Sequence, residues 1–176
     1  MARLSIEFRL VNEAHEMERI EDIEVAIWNR EEAVPSHQLL AASKNGGVVI
    51  GAFDNSLSKV PERERLVGFS YAFPATDQKT TWLYSHMTGF LENYRGKNLG
   101  FKIKCFQRLA ALQKGYDLIT WTYDPLFAAN GRLNVGKLGG IVAQYECNYY
   151  GNLRDSFNAG LPSDRCIVKW HISSTR

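Results

Sequence analysis

Apolar and polar residues alternate along this chain with two different periods, and these periods predict a mixture of strands and helices. Residues 4–10 alternate with a period of two, which predicts a half-buried strand. Apolar residues between 17 and 28 recur at helical spacing with acidic residues on the other side, which predicts an amphipathic helix. Asn12 is the predicted N-cap of this helix, and a short second helix or a turn is predicted over residues 37–42.

The pattern then changes to a series of strands with two further helices. Apolar runs at 48–53, 66–73 and 80–90 have short or polar connections, which predicts an antiparallel meander whose second strand ends at Pro74. Helical spacing returns over 99–114 and 127–138, and the remaining strands are predicted at 118–123, 141–147 and 166–172. This order, β-α-α-β-β-β-α-β-α-β-β, predicts a mixed α/β (α+β) fold on a mostly antiparallel sheet. Without a repeat or linker, residues 1–176 are expected to form a single domain.

The stretch between the strand at 80–90 and the helix at 99–114 carries the clearest chemical signal. It contains Arg95-Gly96-Lys97-Asn98-Leu99-Gly100, with two glycines and two cations. A glycine-bearing turn at a helix start exposes unpaired backbone N–H groups, and the helix dipole adds positive charge there. This arrangement predicts an anion site, with pyrophosphate as its usual ligand. Lys102 and Lys104 follow, and they either meet outlying phosphates or lie on a solvated helix face.

Composition and charge exclude several other classes of function. The formal net charge of +2 is too small to indicate a nucleic-acid or membrane partner. The three cysteines are scattered without CxxC spacing, which suggests a reducing compartment and no disulfide framework, and no metal site is expected. No apolar run approaches the roughly 20 residues of a membrane helix, and the first residues have no signal-peptide pattern. We therefore expect a cytoplasmic protein.

The element order and the glycine loop resemble the GNAT superfamily of acyl-CoA-dependent N-acyltransferases, over nearly the whole chain. The pyrophosphate loop of that family reads Gln/Arg-x-x-Gly-x-Gly/Ala, which Arg95 and Gly100 match, whereas Asn98 stands where glycine is usual. Asparagine tolerates the left-handed backbone better than most residues, so the loop shape can be kept. The resemblance implies helices on both faces of the sheet and two splayed strands that form an acyl-CoA cleft.

A narrower resemblance, to one branch of that superfamily, depends on short motifs in the C-terminal half. These motifs are Asp124-Pro125-Leu126, Asn130 with Asn134, Leu138-Gly139, Tyr149-Tyr150-Gly151 and Gly160-Leu161-Pro162-Ser163-Asp164-Arg165. Some members of the branch are similar to N-acyltransferases that act on amino acids, including by succinyl transfer. The branch therefore hints at the acceptor.

The family resemblance also implies which residues would hold the cofactor, acetyl-CoA or another acyl-CoA. Backbone groups of Met87, Thr88, Gly89 and Phe90 would polarise the thioester carbonyl and hold the pantetheine. The N–H groups of the loop, namely Arg95, Gly96, Lys97, Asn98, Leu99 and Gly100, would bind the pyrophosphate. Asn130 would form a hydrogen bond with the pantetheine or the sulfur.

Two proton transfers are needed for acyl transfer to an amine, one from the attacking ammonium and one to the leaving thiolate. His86 is the candidate base because it lies on the strand that leads into the loop; the alternative is a structural histidine. Strand alternation predicts His86, Thr88 and Phe90 on one face. The usual tyrosine acid of the family corresponds to Val135 here, so Tyr149 and Tyr150 are the candidate acids, with packing as the alternative.

Asp164 and Arg165 are the candidate acceptor-binding residues, because an aspartate suits an ammonium group and a bidentate arginine suits a carboxylate. The alternative is a loop ion pair that positions the last strand. The predicted function is acyl transfer, acetyl or succinyl, to a small amine or amino acid, by direct attack on the thioester. A non-catalytic acyl-CoA-binding module is the alternative, and a homodimer is compatible with either.

Overall fold

One seven-stranded sheet forms the centre of the computed structural model, which describes residues 4–151 and 162–174. The strands are β1 (Ile6–Leu10), β2 (Val48–Asp54), β3 (Leu66–Thr76), β4 (Thr81–Phe90), β5 (Leu118–Tyr123), β6 (Ile141–Glu146) and β7 (Arg165–His171). Their order is β1-β2-β3-β4-β5-β7-β6, and among the described strands only β4 and β5 pair in parallel. The predicted mixed, mostly antiparallel sheet is confirmed.

Four α-helices accompany the sheet in the described part of the chain, in the predicted order. They are α1 (Ala14–Ile27), α2 (Ser36–Lys44), α3 (Leu99–Gln113) and α4 (Ala128–Gly131), the last of which continues into a π-helical turn (Arg132–Lys137). The residue that precedes α1 is Glu13, and no side chain caps that end, so the prediction of Asn12 as the N-cap is wrong.

Each face of the sheet is covered by its own hydrophobic core. On one face α1 and α2 pack through fully buried Met17, Ile20 and Leu39, and on the other α3 packs through Ile103. All seven residues of β2 are buried, as expected of a strand covered on both faces. The expectation of helices on both faces is confirmed. Each fully buried Ile, Leu or Met side chain stabilises this arrangement by about 1.5–3 kcal/mol.

Strand β3 does not end at Pro74 as predicted from the sequence. It continues to Thr76, and Pro74 lies opposite Leu83 of β4. The pairing of β3 with β2 ends at Ala72, opposite Val48, so the last part of β3 extends beyond β2. A residue without an N–H group is tolerated there because one side of the strand has no described strand partner.

No helix in the described ranges, 4–151 and 162–174, combines the length and the apolarity that crossing a membrane requires.

Candidate functional site

Strands β4 and β5 separate at the centre of the sheet. Their parallel ladder has only two pairs, Leu83 with Ile119 and Tyr84 with Thr120. Beyond these pairs β4 continues over residues 85–90 and β5 over 121–123. We call these two diverging segments the strand fork. Because backbone N–H and C=O groups require partners, the unpaired inner edge of β4 offers hydrogen bonds to a ligand in the cleft.

The predicted cofactor-binding residues of β4 lie along this inner edge. Met87, Thr88, Gly89 and Phe90 pair on their other side with β3. A Cβ at Gly89 would come within 2.6 Å of Ile27 Cδ1, so α1 packs closely against the strand there. The structure therefore places these four residues beside the cleft, and their contact with a cofactor stays a prediction.

The glycine loop lies between the end of β4 and the start of α3. Gly96 has φ +73 and Asn98 has φ 59, so both occupy the left-handed region. The expectation that asparagine maintains the loop shape is confirmed by this conformation. No side chain caps the N-terminus of α3. The N–H groups of its first turn therefore remain available to an anion.

Contacts on both sides of the loop fix its position. The Tyr94 hydroxyl donates to Asp54 Oδ2 at 2.8 Å, and Arg95 Nε donates to the Phe90 carbonyl at 3.2 Å. Leu99 is buried, whereas Arg95, Gly96, Lys97 and Asn98 are exposed. The loop is thus held to the protein at its ends while its polar groups face solvent.

A further cation, which sequence reasoning missed, lies at the same helix start. Lys137 Nζ donates to Asn98 Oδ1 at 2.7 Å and lies 5.9 Å from the centre of the Phe101 ring. Lys97 Nζ lies 5.3 Å from the Tyr94 ring. The sequence separation of Lys137 and Asn98 is 39 residues, and no local pattern links them. These cations add positive charge where the helix dipole already favours an anion.

Lys104 was predicted either to meet phosphate or to be solvated, and the structure contradicts both expectations. It is 5% exposed, and its Nζ donates to Ser85 Oγ and Gln107 Oε1, each at 2.8 Å. The same nitrogen lies 4.2 Å from the centre of the Trp121 ring. Lys104, Gln107 and Ala111 have i, i+3, i+7 spacing, which is the sequence signal that places the lysine on a buried side of α3.

A β-bulge at His86 changes which residues of β4 share a face. Tyr71 pairs with Met87 but Ala72 pairs with Ser85, so His86 is an extra residue. The prediction that His86, Thr88 and Phe90 share one face is therefore wrong. The Thr88 and Ser70 hydroxyls are 2.8 Å apart, and Ser70 Oγ accepts from Gln107 of α3.

His86 itself lies on the opposite face, among aromatic rings. Its ring centre is 6.0 Å from that of Tyr71, 5.9 Å from that of Phe73 and 6.3 Å from that of Tyr84. The residue is exposed, so part of the imidazole remains open to solvent. Burial among these rings disfavours the charged form and lowers the pKa of His86. A neutral imidazole with an open edge is able to accept a proton near pH 7.

The two candidate acids, Tyr149 and Tyr150, lie on the same face as His86. The Tyr150 hydroxyl is 3.0 Å from the Tyr84 hydroxyl and 3.0 Å from Thr122 Oγ1, so it joins β4 to β5. The rings of Tyr149 and Tyr150 form a T-shaped pair 4.6 Å apart. Buried Ser163 holds their backbone, because its carbonyl accepts from Tyr149 N and its Oγ accepts from Tyr150 N.

Replacing Tyr150 by phenylalanine is expected to lower the free energy of unfolding by about 1 kcal/mol, because a net hydrogen bond contributes about 0.5–1.5 kcal/mol and these bonds are partly exposed. Urea denaturation of both proteins measures the difference. The matched control is Tyr149→Phe, whose hydroxyl has no hydrogen bond among the described residues. Equal stability of the two variants would contradict the bridging role.

Asp164 and Arg165 have partners within the protein. Asp164 accepts a short hydrogen bond from the Tyr145 hydroxyl and a 2.9 Å bond from Asn148 N, which together lower the pKa of this carboxyl group. Arg165 is 8% exposed and forms a 3.8 Å ion pair with Asp124. These contacts agree with the alternative of a loop ion pair, and acceptor binding stays a prediction. Gly160 and Leu161 of the same motif lie outside the described residues.

Asn130 lies in α4, where its backbone N donates to the Phe127 carbonyl at 2.8 Å. Its predicted hydrogen bond to the pantetheine stays a prediction. Val135, which stands where the family has its tyrosine acid, is 45% exposed in the π-helical turn. No phenol therefore occupies that position.

Comparisons with known proteins give matches among solved structures. The NatC complex bound to Gag peptide and CoA has a chain 15% identical over 95% of this chain and 98% of its own, with a TM-score of 0.73. Arabidopsis thaliana NAA60 in complex with acetyl-CoA is 18% identical over 95% of this chain and 99% of its own, with a TM-score of 0.70. An acetyltransferase of the GNAT family from Streptococcus pneumoniae is 10% identical over 94% of this chain and 98% of its own, with a TM-score of 0.70. These likenesses show that this chain has their fold.

Neither the family models nor the curated proteins give a match.

Proposed function

We propose that this protein is an acyl-CoA-dependent N-acyltransferase. The observation that carries the proposal is the strand fork, with the uncapped, cation-flanked start of α3 at the end of its β4 arm. The anion site and the cleft together suit a ligand with a pyrophosphate at one end and an extended arm at the other. The proteins with the same fold include one bound to CoA and one bound to acetyl-CoA, which supports this choice of ligand.

In this proposal the loop and the fork hold different parts of acyl-CoA. The N–H groups between Arg95 and Gly100 bind the pyrophosphate, and Lys97 and Lys137 add attraction for phosphate. The pantetheine lies along the inner edge of β4. Backbone groups of residues 87–90 hold it and polarise the thioester carbonyl, because preorganised donors stabilise the charge that develops on the oxygen.

His86 accepts the proton of the acceptor ammonium. His86 passes this proton to solvent, and the neutral amine attacks the thioester carbon directly to form a tetrahedral intermediate. The nitrogen of this intermediate loses its second proton to His86, and collapse breaks the C–S bond and releases the thiolate. The lowered pKa of His86 keeps the imidazole neutral at pH 7, which is the form that accepts a proton. Tyr149 and Tyr150, the acids predicted from the sequence, lie on the same face of the sheet as His86.

The proposed acyl group is acetyl, with succinyl as the second choice because of the branch-specific C-terminal motifs. The proposed acceptor is a small amine or an amino acid, whose charges Asp164 and Arg165 would contact. A peptide N-terminus is the second candidate acceptor, because the NatC structure holds a Gag peptide.

Binding and transfer are tested in sequence. Acetyl-CoA at about 100 times its Kd is expected to stabilise the folded protein by about 2.7 kcal/mol, measured by urea denaturation. Pantetheine, which lacks the pyrophosphate, is the control and should stabilise it far less. Thiol release from acetyl-CoA and succinyl-CoA is then measured with amino acids, small amines and short peptides. Absence of binding would disprove the proposal, and binding without release would favour the non-catalytic module.

A further inference from the structure

The side chain of Lys104 reaches from α3 to the point at which β4 and β5 separate. It contacts Ser85 and Trp121, and each of these directly follows the last residue of its strand in the β4–β5 ladder. Gln107 orients the lysine, because its Oε1 accepts from Lys104 while its Nε2 donates to Ser70 Oγ at 2.9 Å. The amine is therefore fixed at the root of the strand fork.

The surroundings of this amine are neutral. Two of its three N–H donors are used, by a hydroxyl and an amide oxygen, and no carboxylate pairs with it in residues 4–151 and 162–174. Burial disfavours the ammonium and lowers the pKa of Lys104 to about 7. Both protonation states of the lysine are therefore accessible near neutral pH. A general acid needs both, because it must be reprotonated in each turnover.

Other titratable groups near the fork have their own partners or face away. On β4, Tyr84 and His86 lie on the opposite face, with the Phe73 ring against both. On β5, Tyr123 forms a hydrogen bond with Cys166 of β7. On α3, Arg108 Nε donates to the Ile172 carbonyl at 2.7 Å. In the described part of the chain, Lys104 is thus the titratable group that lies at the root of the fork on the α3 face.

A second polar group in the fork has an unused donor. Trp121 is 5% exposed, and its indole nitrogen has no hydrogen-bond partner among the described residues. A buried donor without an acceptor costs about 1–3 kcal/mol. A carbonyl oxygen of a ligand in the cleft would satisfy it, so this observation independently indicates that the fork is built to receive a polar ligand.

The two faces of β4 separate the base from this amine. Ser85 contacts Lys104 of α3, whereas His86 contacts the rings of Tyr71 and Phe73 on the opposite face. Acyl transfer likewise needs a base and an acid on different sides of the thioester carbon, because the amine enters on one side and the thiolate leaves from another. We propose that Lys104 donates the proton that the leaving CoA thiolate takes up, an inference that depends on the acyltransferase function proposed above.

The step balances without a further reactant. Before attack the acceptor ammonium loses one proton, which His86 passes to solvent. The C–N bond then forms, His86 takes the second proton from the attacking nitrogen, the C–S bond breaks, and the sulfur receives a proton from the Lys104 ammonium to give the CoA thiol. Lys104 is left as a neutral amine, His86 as an imidazolium, and exchange with solvent returns both to their starting forms. The lysine thereby fills the role for which the sequence predicted Tyr149 or Tyr150.

The pH dependence of kcat tests this inference. In the wild-type protein kcat for transfer from acetyl-CoA is expected to fall as pH rises above about 7, because a general acid must be protonated. In Lys104→Met this alkaline limb should disappear, and kcat should fall by about 10²-fold with the KM for acetyl-CoA changed little. Lys114→Met, at the exposed C-terminal end of the same helix, is the control, and Tyr150→Phe should retain the limb.

The outcomes distinguish this inference from the proposed function. If the wild-type protein transfers acyl groups without an alkaline limb, the lysine is not the acid, whether or not the Lys104 variant folds. A folded Lys104→Met protein with wild-type kcat, or loss of the limb in Tyr150→Phe alone, would also overturn the inference and leave the acyltransferase function intact. Absence of any transfer by the wild-type protein would instead refute the function.

Discussion

Replacing His86 by alanine is expected to lower kcat for acyl transfer by about 10²- to 10⁴-fold, the range typical of a lost general base. The structural reason is the β-bulge, which directs this side chain to the face that carries Tyr84 and Tyr150. The base is therefore on the side of the sheet opposite Lys104. Steady-state kinetics at saturating acetyl-CoA and acceptor measure the loss.

The pH profile distinguishes a base from a residue that only packs. Because burial lowers the pKa of His86, wild-type kcat should rise with pH through a value below about 6.5, the ordinary imidazole pKa, and His86→Ala should lack this rise. Because deprotonation of Lys104 is expected to lower kcat above about pH 7, the wild-type plot of kcat against pH should be bell-shaped with a narrow optimum.

His171, which is exposed in β7, provides the matched control for the loss of an imidazole. His171→Ala should retain both limbs and the wild-type kcat. His86→Ala could instead keep kcat within a few-fold of wild type and retain the rise of kcat at low pH. The base would then be another group near Tyr150 on the same face of the sheet.

The element order could be predicted from the sequence because each element has a strong local period. Helical spacing in α1 and alternation in β1 produced the correct types, and the glycine loop was placed between a strand and a helix as observed. The position of the predicted anion site followed from this local information, and its contact with a cofactor stays a prediction. Pro74 misled the prediction because its tolerance depends on where β2 ends, which is a property of the assembled sheet.

The proposed catalytic groups are brought together by contacts between distant segments. The bulge at His86 exists only in the pairing of β4 with β3, so alternation alone placed His86 on the same face as Thr88. Lys104 resembled a surface lysine in the sequence, because its partners Ser85 and Trp121 lie on two different strands. Lys137 likewise joins the loop only through the fold. Polar chemistry at a strand fork is set by tertiary packing, which a local pattern does not contain.

Replacing Gly100 by tryptophan is expected to weaken acetyl-CoA binding by about 10²-fold or more. Gly100 lies in the first turn of α3, where a large side chain would occupy the space in front of the free N–H groups. Loss of two hydrogen bonds to charged groups, at about 1.5–3 kcal/mol each, corresponds to this change because 1.4 kcal/mol is a factor of ten. Isothermal titration with acetyl-CoA measures Kd.

The fold itself should survive this substitution, which makes the binding result interpretable. A Cβ at Gly100 would meet only Leu133 Cδ2, at 3.5 Å, an ordinary van der Waals contact. Gly100→Ala is therefore the matched control, and it should bind acetyl-CoA nearly as wild type does while gaining about 0.5–1 kcal/mol of stability from reduced backbone entropy. Wild-type affinity in a folded Gly100→Trp protein would show that the pyrophosphate lies away from this helix start. The strand fork would then be the only part of the proposed acyl-CoA site that is left.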